Sequence, residues 1–365
     1  MILKAATIFT GYETLHDYAV CIKDNVIERL LPVSEIINED DDVTDLGDVI
    51  LAPAFIDIQL YGAHGRLLAV YPDAETVAEI VRYCKAGGAA WCLPTVATNT
   101  YDTISKCIDA VKDYWQQGEE GVLGLHLEGP WINPVKRGAH REEWIFSPAV
   151  VQAKKLLEYG KGVIKLITLA PECVSKEVIE LIRSYNIVIS AGHSNARYEE
   201  AMQAFDDGIK LSTHLYNAMS PLQHRAPGLV GAVFNHPHVL CSLVPDGHHV
   251  DFAAIRIAKK VMGNRLFAIT DAVTETTEGY YQHHFEGDKY TANGILSGSA
   301  LTMYKCFQNL VRHCGIEKEE AIRMCSLYPA IALGMENEIG VLRQGAKPVI
   351  SVFDNNFQLI KTLSS

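Results

Sequence analysis

No apolar run in this sequence approaches the roughly 18 residues that a membrane span requires. Residues 1–4 also lack the pattern of a signal peptide. The nine cysteines are an odd number without a Cys-x-x-Cys pair, which is typical of reduced, mostly buried thiols. The net charge of -12 argues against a nucleic-acid surface. We therefore expect a cytoplasmic protein that contacts neither membrane nor nucleic acid, and an anionic substrate would need a local basic pocket.

Apolar, strand-like runs alternate with helical stretches through the middle of the chain. The segments Ala74–Ala86 and Tyr101–Gln116, for example, have the apolar spacing of amphipathic helices. The strand-like runs span residues 49–59, 89–96, 122–128, 163–170, 187–193, 211–217, 240–246 and 266–271. This alternation favours a parallel sheet, and eight strands with crossover helices predict an α/β fold of the (β/α)8 TIM-barrel type.

Both ends of the chain show the strand-turn-strand pattern of a small β-unit. Residues 7–10, 18–22 and 26–31 read as strands at one end, and residues 348–353 and 357–360 at the other. Neither end alone has enough strands for independent stability. We therefore expect residues 1–50 and 336–365 to pair into one small β-sandwich beside a barrel made of residues 51–335.

Polar side chains occupy the predicted C-terminal ends of the barrel strands, where TIM barrels carry their active sites. In the run 122–128, period-2 alternation places His126 and Glu128 on the same face. A buried carboxylate needs a compensating partner. We interpret His126, which lies one pleat deeper, as a hydrogen-bonded core histidine. The residues at the strand ends are Gln59, Thr95, Glu128, His193, His214, Asp246 and Asp271.

Glu128, His193 and His214 form a candidate metal site at the ends of strands three, five and six. Imidazole and carboxylate groups suit zinc and its borderline neighbours, and three protein ligands leave one position open for water. Asp271, at the end of the last strand, can accept a proton from such a water and deliver it to a leaving amine. Taken singly, each histidine can instead be structural, and Asp271 can be a helix N-cap.

The chain resembles the N-acetylglucosamine-6-phosphate deacetylases of the amidohydrolase superfamily over nearly its whole length. The resemblance lies in segments 53–59, 126–131, 191–196, 213–219, 246–251 and 296–303. It implies metal-dependent hydrolysis of the acetamide of N-acetylglucosamine 6-phosphate to glucosamine 6-phosphate and acetate. It also implies one divalent metal ion per subunit, with zinc preferred and iron, manganese, cobalt or nickel as alternatives.

The resemblance further implies a role for individual residues. Glu128, His193 and His214 would be the metal ligands, Asp271 the acid/base, and His249 a second catalytic group at the acetamide. In similar enzymes the arginine corresponding to Arg225 reaches across a dimer interface, so we expect a homodimer. The implied substrate contacts are Ala139, His140, Asn217, Ala218, Arg225, His249, Leu296, Ser297 and Gly298.

Three local interpretations stay open. Many amidohydrolases have His-x-His at the end of strand one, whereas this chain has Gln59-Leu60-Tyr61, which argues against a second metal near Gln59 without excluding it. Arg225 is either a phosphate ligand or part of a surface salt bridge. The turn Ser297-Gly298-Ser299 is either a phosphate-binding nest or a helix N-cap.

Other functions compete with this one. A related amidohydrolase could deacetylate another N-acetyl hexosamine phosphate, such as N-acetylgalactosamine 6-phosphate, or an N-acyl amino acid. A metal-free lyase would need a Schiff-base lysine at a strand end, and the sequence has none there. A non-catalytic sugar-phosphate-binding protein would be expected to lack Asp271 or one of the ligands, and all of them are present.

Overall fold

The computed structural model describes residues 1–36, 42–292 and 294–363. Strands from both ends of the chain share one sheet, in the order β20-β19-β5-β1-β2-β3 with β4 paired to β1. β5 pairs with β1 on one side and with β19 on the other. The strands are β1 (Ile2–Phe9), β2 (Thr14–Lys23), β3 (Val26–Pro32), β4 (Val43–Asp45), β5 (Ile50–Pro53), β19 (Ile350–Phe353) and β20 (Leu359–Leu363).

Eight parallel strands form the second sheet in chain order and confirm the predicted TIM barrel. The barrel closes because the Asp271 amide donates to the Gln59 carbonyl (2.9 Å) and the Tyr61 amide to the Ala272 carbonyl (2.8 Å). The strands are β6 (Phe55–Leu60), β9 (Ala89–Ala97), β10 (Leu125–Glu128), β11 (Ile164–Leu169), β12 (Val188–Ala191), β13 (Leu211–Ser212), β14 (Leu240–Leu243) and β15 (Leu266–Ala268).

The helices follow from apolar spacing and capping. In α1, buried Val77, Ile80, Val81 and Cys84 recur on one face, and the Asp73 side chain caps the first turn by accepting from the Thr76 amide. The helices are α1 (Ala74–Ala86), α2 (Tyr101–Gln116), α3 (Val150–Tyr159), α4 (Lys176–Ser184), α5 (Tyr198–Asp206), α6 (Gly228–Asn235), α7 (Phe252–Met262), α8 (Met303–Arg312), α9 (Lys318–Cys325) and α10 (Leu327–Leu333).

Several barrel strands are shorter than predicted. The run 187–193 stops at Ala191 and the run 211–217 stops at Ser212. Left-handed backbone at His193 (φ 47°) and His214 (φ 40°) is incompatible with a continuing strand. The run 49–59 is split between β5 and β6, which belong to different sheets. His193 and His214 therefore lie on turns just beyond their strands, whereas Gln59, Thr95 and Glu128 lie within β6, β9 and β10.

Two small antiparallel sheets lie in the loops at the C-terminal end of the barrel, and the sequence did not predict them. The first pairs β7 (Gly62–Ala63) with β8 (Arg66–Leu67). The second consists of β16 (His284–Glu286), β17 (Lys289–Ala292) and β18 (Ile295–Ser299).

Within the described ranges, none of the helices combines the length and the apolar character that a membrane span requires. The division into domains at residues 50/51 and 335/336 stays a prediction, and β5 extends to Pro53.

Candidate active site

A pocket opens at the C-terminal ends of the barrel strands, where the sequence predicts the site. It brings together all predicted site residues except Arg225, whose side chain is exposed in the loop before α6. The pocket lining includes five histidines but, among the described residues, no lysine or arginine. The predicted residues in the lining are Glu128, Ala139, His140, His193, His214, Asn217, Ala218, His249, Asp271, Leu296, Ser297 and Gly298.

Glu128, His193 and His214 converge on one point. The Nε2 atoms of His193 and His214 lie 3.2 and 3.1 Å from Glu128 Oε1, and 3.1 Å from each other. All three side chains are buried. A Cβ at Gly192 would lie only 2.7 Å from Thr168 Cγ2, so a glycine permits the close turn that brings in His193.

The hydrogen bonds of His193 fix its tautomer. Its Nδ1 lies 2.9 Å from the carbonyl oxygen of Lys136, which can only accept, so Nδ1 carries the proton. Burial lowers the pKa of His193, which favours the neutral ring. Its Nε2 therefore presents a lone pair towards the Glu128 carboxylate. Two acceptors at 3.2 Å repel each other unless a cation lies between them, so these residues fit a metal.

His140 is a second possible partner of Glu128, because one ligand atom each from Glu128, His140 and His193 lies within 4.8 Å of the others. Its hydrogen bonds, however, give it the opposite tautomer. The Thr98 amide donates to Nδ1 at 3.3 Å, and the Thr98 hydroxyl, which can also donate, lies 2.7 Å from the same atom. Nδ1 is therefore an acceptor, and the proton is on Nε2, which donates to Glu128 Oε2 at 3.0 Å. His140 thus acts as a donor to the carboxylate, and His214 is better suited as the third ligand.

The charge of Glu128 depends on these neighbours. Burial alone would raise the pKa of Glu128, but its neighbours, among them the Nε2–H donor of His140, hold it well below its usual value. The carboxylate is therefore ionised at neutral pH.

Asp271 follows β15 and lies beside this cluster, and its own backbone is left-handed (φ 55°). Burial and the charge of Glu128 raise the pKa of the Asp271 carboxyl. Its Oδ2 is 3.8 Å from His249 Nε2. Because the next helix, α8, begins only at Met303 with Thr302 as its N-cap, the N-cap interpretation of Asp271 is wrong.

Gln59 and Tyr61 connect the two carboxylates. Gln59 Nε2 lies 2.9 Å from Glu128 Oε1 and 2.8 Å from Asp271 Oδ1. The Tyr61 hydroxyl donates to Glu128 Oε2 at 2.5 Å and lies 3.2 Å from Asp271 Oδ1. Burial and the charges of Asp271 and Glu128 raise the pKa of Tyr61 well above its usual value, so it stays a donor. Gln59 and Tyr61 thus fill the space between the carboxylates with neutral donors.

The structure bears on two other interpretations. His126 is buried, with Nδ1 3.1 Å from the Ile58 carbonyl and Nε2 2.8 Å from Thr168 Oγ1, and burial lowers its pKa to about 4. It is a core histidine, as predicted. Residues 297–299 belong to strand β18, and α8 is capped by Thr302, so these residues are not a helix N-cap.

Several residues at the site escaped the sequence analysis. Tyr61 follows Gln59 by two positions, and strand alternation could have placed both side chains on one face. Asp246, which the sequence places at a strand end without a role, binds His249 Nδ1 at 2.6 Å. Tyr281 and His283 also line the pocket, but they lie in an irregular loop that has no periodic signal. Burial lowers the pKa of His283 to about 4.

The chain is similar to known proteins over nearly its whole length. The profile of the amidohydrolase family matches residues 50–364. An N-acetylglucosamine-6-phosphate deacetylase of Haemophilus influenzae is 33% identical over 98% of this chain and 96% of that protein. An N-acetylgalactosamine-6-phosphate deacetylase of Escherichia coli O157:H7 is 32% identical over the same shares of the two chains. The crystal structure of N-acetylglucosamine-6-phosphate deacetylase from Pasteurella multocida is 32% identical and matches 100% of this chain and 98% of that one, with a TM-score of 0.92.

Proposed function

The chain belongs to the amidohydrolase family, and from this premise we propose that it hydrolyses the acetamide of N-acetylglucosamine 6-phosphate to glucosamine 6-phosphate and acetate. The observation that carries the proposal is the convergence of Glu128, His193 and His214 within 3.2 Å beside the buried Asp271. The two relatives at 33 and 32% identity and the crystal structure with a TM-score of 0.92 support the same class of reaction.

We propose that Glu128, His193 and His214 hold one divalent cation per subunit. One carboxylate and two imidazoles suit zinc, and they suit iron, manganese, cobalt and nickel as well. When bound, such an ion polarises the acyl oxygen and lowers the pKa of water to about 7. Gln59 directs its amide hydrogens at both carboxylates, which supports a single ion rather than two.

Asp271 is the proposed acid/base. Its carboxylate accepts a proton from the attacking water and passes it to the amide nitrogen as the C–N bond breaks. Burial among Glu128, Gln59 and Tyr61 suits this exchange, because the raised pKa of Asp271 lets the group hold the proton between the two steps. His249 is proposed to stabilise the negative charge that develops on the acyl oxygen.

The sugar and its phosphate are proposed to contact the remaining lining residues. Both ring nitrogens of His140 already have protein partners, so we assign this residue to orienting Glu128. Because the described lining has no basic residue other than histidine, we propose that Arg225 reaches the phosphate from a second subunit of a homodimer. The other proposed contacts are Ala139, Asn217, Ala218, Leu296, Ser297 and Gly298.

The sugar epimer is a separate question, because one relative acts on the galactosamine compound at nearly equal identity. The test is acetate release from both 6-phosphates by the metal-loaded enzyme, with Asp271→Asn as the inactive control. We expect kcat/KM to be higher for the glucosamine compound. A higher kcat/KM for the galactosamine compound would make that compound the substrate instead. Absence of acetate from both compounds would contradict the deacetylase proposal.

A further inference from the structure

Asp246 makes three hydrogen-bond contacts, two of them with His249 and one with the neighbouring residue His248. Its Oδ1 accepts from the backbone amides of His248 (2.8 Å) and His249 (2.7 Å), and its Oδ2 lies 2.6 Å from His249 Nδ1. The side chains of Asp246 and His249 are only 2 and 7% exposed. A buried, ionised carboxylate with three donors has no freedom to turn, so the ring beside it is fixed as well.

The loop around the pair is itself fixed. The Asn309 side chain on α8 donates to the carbonyl of Pro245 at 2.8 Å, which anchors the residue before Asp246. Gly247 adopts φ 81°, and a Cβ there would lie 2.8 Å from the Phe252 ring. The turn from β14 to α7 therefore presents Asp246 in one orientation.

This contact decides which nitrogen of His249 carries a proton. Burial opposes ionisation of Asp246, but its bonds to His249 and the neighbouring amides lower its pKa, so the carboxylate can only accept. Nδ1 of His249 is therefore the donor. Nε2 lies 3.8 Å from Asp271 Oδ2 and faces the pocket. It can donate to a substrate oxygen only if the ring is doubly protonated.

Each ring nitrogen of His249 faces a carboxylate. The carboxylates of Asp246 and Asp271 lie on opposite sides of the ring, at 2.6 and 3.8 Å. Other ionisable groups around this pair are His248, which pairs with Asp288 at 2.8 Å, and the buried thiol of Cys306, whose raised pKa keeps it neutral. His214 lines the same pocket and, like His249, lowers the pKa of Asp271. Two carboxylates stabilise a cation placed between them.

We propose that Asp246 is a positioning residue that holds His249 as an imidazolium, whose Nε2–H donates to the acyl oxygen of the substrate. This inference rests on the proposed deacetylase function. The proton stays on Nε2 throughout, so no bond to hydrogen is made or broken at His249. Asp271 alone exchanges protons with water and amine.

The decisive variant is Asp246→Asn. The two backbone amides hold Oδ1, so the new amide group must face His249 Nδ1, which then has to accept. The ring becomes neutral with its proton on Nε2, a weaker donor to the developing charge. We expect kcat to fall on the order of 10²-fold, with little change in KM.

Nitrogen-15 spectra of histidine-labelled, metal-loaded protein report the protonation directly, with His249→Gln used to assign the signals. We expect two protonated ring nitrogens in the unaltered protein and an unprotonated Nδ1 in Asp246→Asn. An unprotonated Nε2 in the unaltered protein would overturn the proposal, whatever the activity. If the unaltered enzyme releases no acetate, the deacetylase proposal fails, while this measurement still decides the protonation of His249.

Asp288→Asn is the matched control, since it removes an exposed carboxylate paired with the neighbouring His248. Its kcat should stay unchanged. If Asp246→Asn loses its fold, a second comparison applies in the His249→Gln background. There, a conservative Asp246→Glu change should leave the residual kcat unchanged, because Asp246 acts only through His249. A further loss of kcat with KM unchanged would overturn the proposal.

Discussion

Gln59 and Asp271 are joined twice, across the seam where the last barrel strand meets the first. The Asp271 amide donates to the Gln59 carbonyl at 2.9 Å, and Gln59 Nε2 lies 2.8 Å from Asp271 Oδ1. The same nitrogen lies 2.9 Å from Glu128 Oε1. Gln59 on the first strand of the barrel therefore positions the proposed acid/base Asp271, which follows the last strand.

Replacing this amide by a carboxylate should be costly. In Gln59→Glu, three buried carboxylates would face one another without the amide donor, which we expect to destabilise the metal-free protein by about 3 kcal/mol. Urea unfolding measures this loss, and acetate release should fall with it. Gln117→Glu, at the exposed end of α2, is the control. Equal stability of Gln59→Glu and the unaltered protein would contradict the role given to the amide.

Metal content should separate the ligands from their neighbours. We expect His193→Ala and His214→Ala to lose both the ion and activity, because each removes one of the three donors. His140→Ala should retain the ion, since its Nε2 is a donor to Glu128. Asp271→Asn should retain it too, while turnover falls by about 10³-fold or more. Metal analysis after dialysis gives the answer. Full occupancy in His214→Ala, with loss in His140→Ala, would reverse the assignment of the third ligand.

The buried carboxyl of Asp57 should make stability depend on pH. Burial raises its pKa to about 7, although Thr270 Oγ1 donates to it at 2.5 Å. Between about pH 4 and 7 the folded protein thus binds more protons at Asp57 than the unfolded chain does. The free energy of unfolding should fall across this window as the pH rises, by up to about 4 kcal/mol from this group.

Asp57→Asn removes this titration. The free energy of unfolding of Asp57→Asn, relative to that of the unaltered protein, should increase as the pH rises from 4.5 to 7.5. Urea unfolding of the metal-free proteins measures this difference. Asp113→Asn, an exposed position on α2, should show a constant difference. A constant difference for Asp57→Asn would mean that Asp57 is ionised in the folded protein throughout this range.

Mixed dimers test whether Arg225 acts on the neighbouring subunit. Arg225→Ala and Asp271→Asn should each be nearly inactive, the first through loss of phosphate binding. A hybrid dimer would contain one complete site, with Asp271 from one subunit and Arg225 from the other. Random mixing should therefore restore about a quarter of the normal activity. Absence of recovery in verified hybrids would place Arg225 in its own subunit's site, and full activity of Arg225→Ala would place it outside both sites.

Much of the barrel and most of the site could be predicted from sequence. Buried parallel strands read as continuous apolar runs, and the predicted α1 and α2 have the observed bounds. The sequence predicted β12 and β13 to be longer than they are, because His193 and His214, which mark the site, adopt a left-handed backbone that ends each strand. Alternation alone carries no information about that turn.

Other features depend on contacts that no local pattern encodes. The tautomers of His193 and His140 follow from partners at Lys136 and Thr98, which lie on separate loops. The sheet of β16 to β18 has short, largely polar strands in which buried and exposed residues do not alternate, so period-2 analysis had little to detect. The proposed approach of Arg225 to the phosphate involves a second chain, which no pattern in a single sequence describes.

The pairing of β5 with β19 has a consequence for biosynthesis. Pro53 is paired with Ile350, and only Ala54 separates β5 from the strand that carries Gln59. During translation, β5 is synthesised hundreds of residues before β19. Until β19 is made, one hydrogen-bonding edge of β5 stays unpaired. Premature termination before residue 350 would thus leave β5, which leads directly into the strand that carries Gln59, without its partner β19.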